Sequence, residues 1–229
     1  MTKHIGIVAC SAEGAALCYR TICMEAAALM GEHNHPEITM HTYPLAQYMS
    51  GIRPGDWQQC ARLMLQSAHK LAECGADFLI CPDNTIHEAF PLVLERSPLP
   101  WLHIAECVGR EAQRQGFHTL SILGTKYLMT GPVYPQVLNR MNIATMIPDE
   151  TDREIINETI FERLVYGNIQ EADRLLFNRI IEKLKEQGSD AVVLGCTEIP
   201  LLVNPLDCPL PPLDSTRLLA RAALERALS

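Results

Sequence analysis

Short apolar runs alternate along the chain with longer segments in which apolar residues recur every three or four positions. The runs are typical of buried strands, and the longer segments have the spacing of amphipathic helices. We predict strands at 5–9, 38–43, 78–81, 119–123 and 191–194. We predict helices at 14–30, 56–74, 131–141, 152–165 and 171–187. Continuous apolar strands joined by long helical crossovers predict a parallel sheet covered on both faces, and therefore an α/β fold.

Two stretches of the chain recur at nearly equal separations. Residues 70–77 (KLAECGAD) match residues 183–190 (KLKEQGSD), with Lys, Leu, Glu, Gly and Asp identical at an offset of 113. Residues 97–103 (SPLPWLH) match residues 208–214 (CPLPPLD) at an offset of 111. Two such matches indicate a duplicated unit.

The duplication predicts how the chain is divided. We expect two similar α/β halves, the first at 1–100 and the second at 101–213. The remaining segment, 214–229, is predicted to form a helix that packs back on the first half.

The composition limits the classes of function. Hydrophobic residues make up 48% of the 229 residues, and the net charge is −8 without any basic run, which argues against nucleic acid as a partner. No segment approaches the roughly 18 apolar residues of a membrane span, and the residues before the first strand are too few for a signal peptide. Nine cysteines without a CxxC pair argue against a zinc ribbon and favour reduced thiols in the cytoplasm.

No motif indicates a cofactor or a metal. Glycine-rich phosphate-binding patterns are absent, and of five lysines only Lys126 lies near a motif, so nothing resembles a pyridoxal-phosphate site. His33 and His35 have the spacing of a ligand pair, but their loop offers no third ligand, which favours a solvated loop. We therefore predict that the protein works without either group.

The first repeat singles out two positions that follow buried strands. Asp83 lies eight residues after Gly75, and Cys196 lies eight residues after Gly188. In open α/β sheets, ligands bind at the carboxyl ends of the strands. We therefore predict an active site in a cleft between the two halves, with Asp83 and Cys196 on its two sides.

Cys196 lies in the segment Leu-Gly-Cys-Thr-Glu-Ile-Pro at 194–200. Thr197 and Glu198 stand where free backbone N–H groups would open the next turn, and such a turn binds a carboxylate and lowers the pKa of a thiol. The alternative is a buried strand-end cysteine that only packs. The repeat position and the polar flank favour catalysis by Cys196, with Thr197 and Glu198 binding the substrate.

Asp83 lies in the segment Cys-Pro-Asp-Asn-Thr-Ile-His at 81–87. One interpretation is an Asx turn or a helix N-cap. The other is a catalytic carboxyl group, with Asn84 and Thr85 supplying an amide and a hydroxyl for a substrate carboxylate. His87, close behind them, either orients the site or packs.

Small hydroxyl residues follow the first strand of each half. Ser11 and Thr125 occupy equivalent turns, which suits the binding of an anion and equally suits a helix cap. We retain both as candidates for binding the substrate. Cys10 and Cys81 lie close to the predicted site, but strand alternation turns Cys81 into the core. Cys81 stays an alternative to Asp83, against which Pro82 and the shift of two residues argue.

At these residues the chain resembles the aspartate/glutamate racemase family, within the wider group of hydantoin racemases, maleate isomerases and arylmalonate decarboxylases. The resemblance covers nearly the whole chain and is carried by Asn84-Thr-Ile-His, Leu123-Gly-Thr with Thr130 and Tyr134, Leu194-Gly-Cys-Thr-Glu-Ile-Pro-Leu, and Asp214-Ser-Thr. It implies two pseudo-symmetric Rossmann-like halves with the active site in the cleft between them, no cofactor, and a homodimer.

The resemblance also implies a two-base mechanism, in which one group removes the Cα proton and a second group returns a proton to the opposite face. Most members use two cysteines, one before Asn-Thr and one in Leu-Gly-Cys-Thr-Glu. Here Cys196 is retained and Asp83 stands in the first place. A carboxyl group, with an ordinary pKa of about 3.9, is ionised at neutral pH unless it is desolvated. The resemblance therefore implies a racemase of aspartate- or glutamate-like amino acids that handles the two enantiomers unequally.

The substrate side chain and the competing functions stay open. Family members that act on acidic substrates carry a lysine before a glycine. The corresponding place here is near Val165, before Gly167, and has no charged residue. Arg53 and Arg163 are candidates for binding the side-chain carboxylate of the substrate, but both also suit an exposed surface. The alternatives are a single-cysteine decarboxylase or isomerase of a small carboxylic acid, and a small-acid binding protein with a decayed site. An ionised Asp83 weighs against decarboxylation, because it would repel a second carboxylate about 4 Å away by about 1–4 kcal/mol.

Overall fold

The computed structural model describes residues 2–229. The strands in this range are β1 (Ile5–Ala9), β2 (Ile38–Thr42), β3 (Phe78–Ile80), β4 (Trp101–Leu102), β5 (Thr119–Leu123), β6 (Ala144–Met146), β7 (Ala191–Leu194) and β8 (Pro212–Asp214). The α-helices are α1 (Ala12–Met30), α2 (Leu45–Ile52), α3 (Trp57–Glu73), α4 (Phe90–Leu94), α5 (Ile104–Gln115), α6 (Lys126–Thr130), α7 (Val133–Arg140), α8 (Glu150–Glu162), α9 (Glu171–Glu186), α10 (Ile199–Leu202) and α11 (Ser215–Leu228). Two 3₁₀ helices cover Thr85–Ala89 and Leu164–Tyr166.

The strands form two four-stranded sheets with the same topology. The strand orders are β2-β1-β3-β4 and β6-β5-β7-β8, and every neighbouring pair is parallel. The prediction of an α/β fold built from two similar parallel sheets flanked by helices is confirmed.

The predicted strands are all present and end within one residue of their predicted limits. The strands β4, β6 and β8 are two or three residues long, too short to leave an apolar pattern, and the sequence analysis missed them. It also missed five helices. Four of them, α2, α4, α6 and α10, have eight residues or fewer; α5 is longer and buries apolar residues at helical spacing, among them Ile104, Val108 and Ala112.

The chain divides into two compact units, 2–107 with 216–229 and 108–215. In the first unit, Leu219 and Ala223 of α11 belong to the core that contains Ile5 of β1, and the Lys3 N–H donates to the Ala227 carbonyl at 2.9 Å. The core of the second unit packs α8 and α9 against β7. None of the helices in the described part of the chain is long and apolar enough to cross a bilayer.

The repeated aspartates have the same structural role in both units. The Asp77 carboxylate accepts the His4 N–H at 2.6 Å, and the Asp190 carboxylate accepts the Thr119 N–H at 2.8 Å. The Asp77 N–H donates in turn to the His4 carbonyl at 2.8 Å, and the Asp190 N–H to the Thr119 carbonyl at 2.9 Å. Each aspartate therefore ties the loop before β3 or β7 to the beginning of β1 or β5. This link aligns the strands whose carboxyl ends carry the candidate residues.

Candidate active site

Close backbone contact at Gly195 places Cys196 directly beyond β7. The Gly195 N–H donates to the Leu123 carbonyl at 2.8 Å. A Cβ atom at position 195 would lie 2.8 Å from that same carbonyl oxygen and 2.5 Å from the Leu128 side chain. Only glycine permits this approach, so the Gly-Cys order of the motif sets where the thiol emerges.

The Cys196 thiol is half-buried and bonded to a buried carboxylate. Its S–H donates to Glu198 Oε2 at 2.9 Å, and the Thr197 hydroxyl donates to the same oxygen at 2.8 Å. Glu198 and Thr197 are each 5% exposed. The thiol and the Thr197 hydroxyl thus share one carboxylate oxygen as their acceptor, which fixes the position of the sulfur.

The two hydroxyl residues predicted to bind the substrate are helix N-caps. The Ser11 hydroxyl accepts the Gly14 N–H of α1 at 3.3 Å, and the Thr125 hydroxyl accepts the Leu128 N–H of α6 at 3.3 Å. Leu123 pairs with Leu194 in the sheet, and Thr125 and Cys196 each lie two residues beyond this pair. The capping interpretation is therefore confirmed for both residues, and their contact with a substrate stays a prediction.

Asp83 begins the turn that follows β3. Its Oδ1 accepts the Ile86 N–H at 3.4 Å, so the Asx-type cap is present. The side chain is half-buried, whereas Asn84 and Thr85 are 3% and 9% exposed. A cap that uses one carboxylate oxygen through a long hydrogen bond is compatible with proton transfer at the other oxygen.

His87 holds the segment that carries Asp83. Its Nδ1–H donates to the Asp83 main-chain oxygen at 2.7 Å, and its Nε2 accepts the Ile104 N–H at 3.4 Å. The ring is 2% exposed and stacks on Phe90 with centroids 5.0 Å apart. Burial lowers the pKa of His87 to about 4, against the opposing effect of the bond to Asp83. His87 is therefore neutral at physiological pH. It packs in the core and also binds the Asp83 main chain, and its role in orienting a catalytic site stays a prediction.

The buried histidine predicts a pH dependence of stability. The unfolded chain protonates His87 below its ordinary pKa of about 6.5, but the folded protein does not until about pH 4, so the free energy of unfolding falls as the pH drops through that range. The contribution is about 1.4 kcal/mol per pH unit. The free energy of unfolding is measured in urea at about pH 7, 6 and 5. We expect His87→Gln to have a lower free energy of unfolding than wild type at neutral pH, and this free energy to fall less than that of wild type on acidification. Equal losses in the two proteins would contradict this assignment; His41, whose pKa burial also lowers, contributes equally to both.

Four buried acids surround Asp83. Burial is the largest cause that raises the pKa of Cys10, Cys81, Cys60 (to about 11) and Tyr48, and the negative charge of Asp83 raises all four further. The Cys10 thiol hydrogen-bonds the Asp83 side chain, whereas the Cys81 thiol contacts the Asp83 main-chain oxygen at 3.9 Å. No role was predicted for Cys10 from the sequence. The signal it overlooked was that Cys10 follows the neighbouring strand.

The arginine considered for the substrate side chain is already engaged. Arg163 makes a bidentate ion pair with Asp173, at 2.9 and 2.8 Å, and also donates to the Thr159 hydroxyl at 2.9 Å. It is thus neither a solvated surface arginine nor a ready carboxylate ligand. Arg53 is exposed at the end of α2.

The histidine loop does not form a ligand cluster. His33 lies 3.3 Å from Glu32, and the His35 ring bonds the Pro36 carbonyl at 2.8 Å. Within residues 2–229, no group of three or more His, Cys, Asp or Glu side chains is arranged to hold a metal ion. None of the nine cysteines, all of which lie in the described range, forms a disulfide.

Comparison with known proteins relates the whole chain to one family. A family model described as Asp/Glu/Hydantoin racemase matches residues 5–223. The broad-specificity amino-acid racemase RacX of Bacillus subtilis (strain 168) is 22% identical over 207 residues, covering 90% of this chain and 88% of the relative. A candidate Asp/Glu racemase from Yersinia pestis has a similar crystal structure, with 33% identity, a TM-score of 0.91, and 99% and 100% of the two chains covered. An aspartate racemase homologue from Pyrococcus horikoshii OT3 is 26% identical, with a TM-score of 0.87 and complete coverage of both chains.

Proposed function

Because the chain belongs to the Asp/Glu/hydantoin racemase family, we propose that it interconverts the enantiomers of an aspartate- or glutamate-like amino acid by two-base proton transfer, without a cofactor. The observation that supports this function most directly is the Cys196 thiol beyond β7, hydrogen-bonded to the buried Glu198. Asp83 occupies the corresponding place beyond β3, half-buried and oriented through His87. The two strand ends thus offer a proton donor and a carboxylate base.

In one direction, the Asp83 carboxylate takes the Cα proton and becomes a carboxylic acid. The Cys196 S–H then delivers its proton to the opposite face of the carbanion and becomes a thiolate. In the other direction, the thiolate removes the proton and the Asp83 acid returns one, so that atoms and charges balance in both. Inversion requires two such groups because a single base returns the proton to the face from which it came.

The remaining polar residues would bind the substrate carboxylate and amino group. We assign this role to the side chains at the two strand ends, which are Ser11, Asn84, Thr85, Thr125, Thr197 and Glu198. Glu198 has a second role, because its Oε2 already accepts the hydrogen bond from the Cys196 thiol. The homodimer that the resemblance implies and the cytoplasmic location that the cysteine content favours remain predictions.

The proposed function is tested by proton NMR in deuterium oxide. We expect the Cα–H signal of at least one amino acid to be lost in a panel that includes both enantiomers of aspartate and glutamate, and chiral chromatography to show a racemic product. The panel includes neutral amino acids, because Arg163 is engaged elsewhere and RacX is a broad-specificity enzyme.

Two other outcomes would overturn the proposal. Release of carbon dioxide from a disubstituted malonate, without exchange of any amino acid, would identify a decarboxylase. Binding of small acids without exchange or decarboxylation would identify a binding protein.

A further inference from the structure

The carboxyl ends of β1 and β3 bring a thiol next to Asp83. In the parallel pairing of these strands, Ile5 lies opposite Phe78 and Ile7 lies opposite Ile80. Cys10 directly follows β1 and Asp83 lies three residues after β3, so both stand at the carboxyl ends of these neighbouring strands. Neighbouring strands are about 4.8 Å apart, which is within reach of two short side chains.

Cys10 is placed to act as a permanent hydrogen-bond donor to Asp83. It is 3% exposed, and its thiol hydrogen-bonds the Asp83 side chain. Burial, and then the Asp83 charge, raise the pKa of Cys10 well above its usual range. The sulfur therefore keeps its proton, and the hydrogen bond runs from the thiol to the carboxylate.

The other titratable groups that face Asp83 differ from Cys10 in their contacts. Those that the electrostatics connect with Asp83 include Tyr48 of α2, Cys60 of α3, Cys81 directly after β3, and His87 of the 3₁₀ helix. The first three are buried acids with raised pKa values, and His87 is neutral, so none of them is a cation that would hold Asp83 ionised. Cys81 and His87 contact the main-chain oxygen of Asp83 rather than its carboxylate.

We propose that Cys10 is a positioning residue for the racemisation described above: its S–H orients the Asp83 carboxylate and favours the ionised form that removes the Cα proton. This inference rests on the proposed function. Cys10 neither gains nor loses a proton during turnover, since the Cα proton goes to Asp83 and the replacing proton comes from Cys196. Without the donor, the carboxylate would be less stable and Asp83 would protonate at a higher pH.

The test compares Cys10→Ala, Cys10→Ser and wild type in the pH dependence of kcat/KM for racemisation. The acidic limb reports the protonation of Asp83 in the free enzyme. We expect Cys10→Ala to shift the acidic limb to higher pH by about half to one unit. At pH values below the limb, this shift is about a three- to tenfold loss of kcat/KM. Cys10→Ser should restore the wild-type limb, because its hydroxyl donates in place of the thiol. Cys18→Ala, which removes another fully buried thiol from the same core, should leave the limb in place.

A second readout does not depend on activity. The ¹³C resonance of the Asp83 carboxyl group, assigned by its absence in Asp83→Asn, should titrate at higher pH in Cys10→Ala and at the wild-type pH in Cys10→Ser. If this shift occurs but no substrate exchanges, the proposed function fails while the Cys10–Asp83 pairing stands.

The positioning role of Cys10 is overturned in either of two cases. In the first, the limb and the resonance are unchanged in Cys10→Ala. In the second, Cys10→Ala and Cys10→Ser are both inactive while Asp83→Asn remains active, which would make Cys10 itself the proton-transfer group.

Discussion

Replacing Cys196 by alanine is expected to reduce racemisation of the preferred amino acid by about a thousandfold or more, because one of the two proton-transfer groups is gone. Cys196→Ser should be similarly impaired, since a serine hydroxyl is far less acidic than a thiol. The fold should tolerate both changes, because Glu198 keeps its hydrogen bond from Thr197. The measurement is kcat/KM by chiral chromatography, with thermal unfolding recorded for each variant.

Cys208→Ala is the matched control for the loss of Cys196. Cys208 is also a half-buried thiol of the second unit and packs against the same hydrophobic core. Burial raises the pKa of its thiol, so the sulfur keeps its proton at neutral pH. Cys208→Ala should therefore racemise at the wild-type rate. Comparable losses in both variants would show that Cys196 acts only through packing and would remove it from the mechanism.

Replacing Asp83 by asparagine is expected to abolish inversion from both enantiomers, by about two to four orders of magnitude, while sparing the fold. The asparagine oxygen can still accept the Ile86 N–H, but the amide cannot take up the Cα proton. Cys196 alone can still remove and return a proton on one face. Proton NMR in deuterium oxide should therefore show residual exchange without inversion, and for one enantiomer only. Wild-type racemisation by Asp83→Asn would exclude the carboxyl group from proton transfer.

Asp83→Cys offers a complementary comparison. The equilibrium constant of racemisation is one, and therefore kcat/KM must be equal for the two enantiomers. A difference between the two catalytic groups is therefore measured as a difference in kcat between the enantiomers at saturating substrate. A carboxyl group and a thiol have ordinary pKa values of about 3.9 and 8.5, and wild type should therefore show different kcat values for the two enantiomers. In Asp83→Cys, which restores the pair of thiols common in the family, the two values should converge. Equal kcat values in wild type would contradict the predicted asymmetry.

The architecture was readable in the sequence because it depends on local and repeated patterns. Buried parallel strands require unbroken apolar runs, and their crossover helices require the helical period, so both are visible without the tertiary structure. The repeated Lys-Leu-x-Glu-x-Gly-x-Asp marked the duplication, since Asp77 and Asp190 bind backbone N–H groups at equivalent places in the two units. The same repeat selected Asp83 and Cys196 by position, and the motifs around them indicated the family.

The tertiary structure decided which groups surround those two residues. Nothing local to Asp83 indicates that Cys10, 73 positions earlier, donates to it, because that contact depends on the pairing of β1 with β3. Nor does the sequence show that His87 is neutral: its state follows from burial and from two partners that fix its tautomer. The guanidinium group of Arg163 could bind a substrate carboxylate, yet the fold pairs it with Asp173. Residue types and repeats along the chain thus identified the candidate site residues. Burial and long-range pairing set the protonation state of each candidate and decide whether its side chain can contact a substrate, and both depend on the folded core.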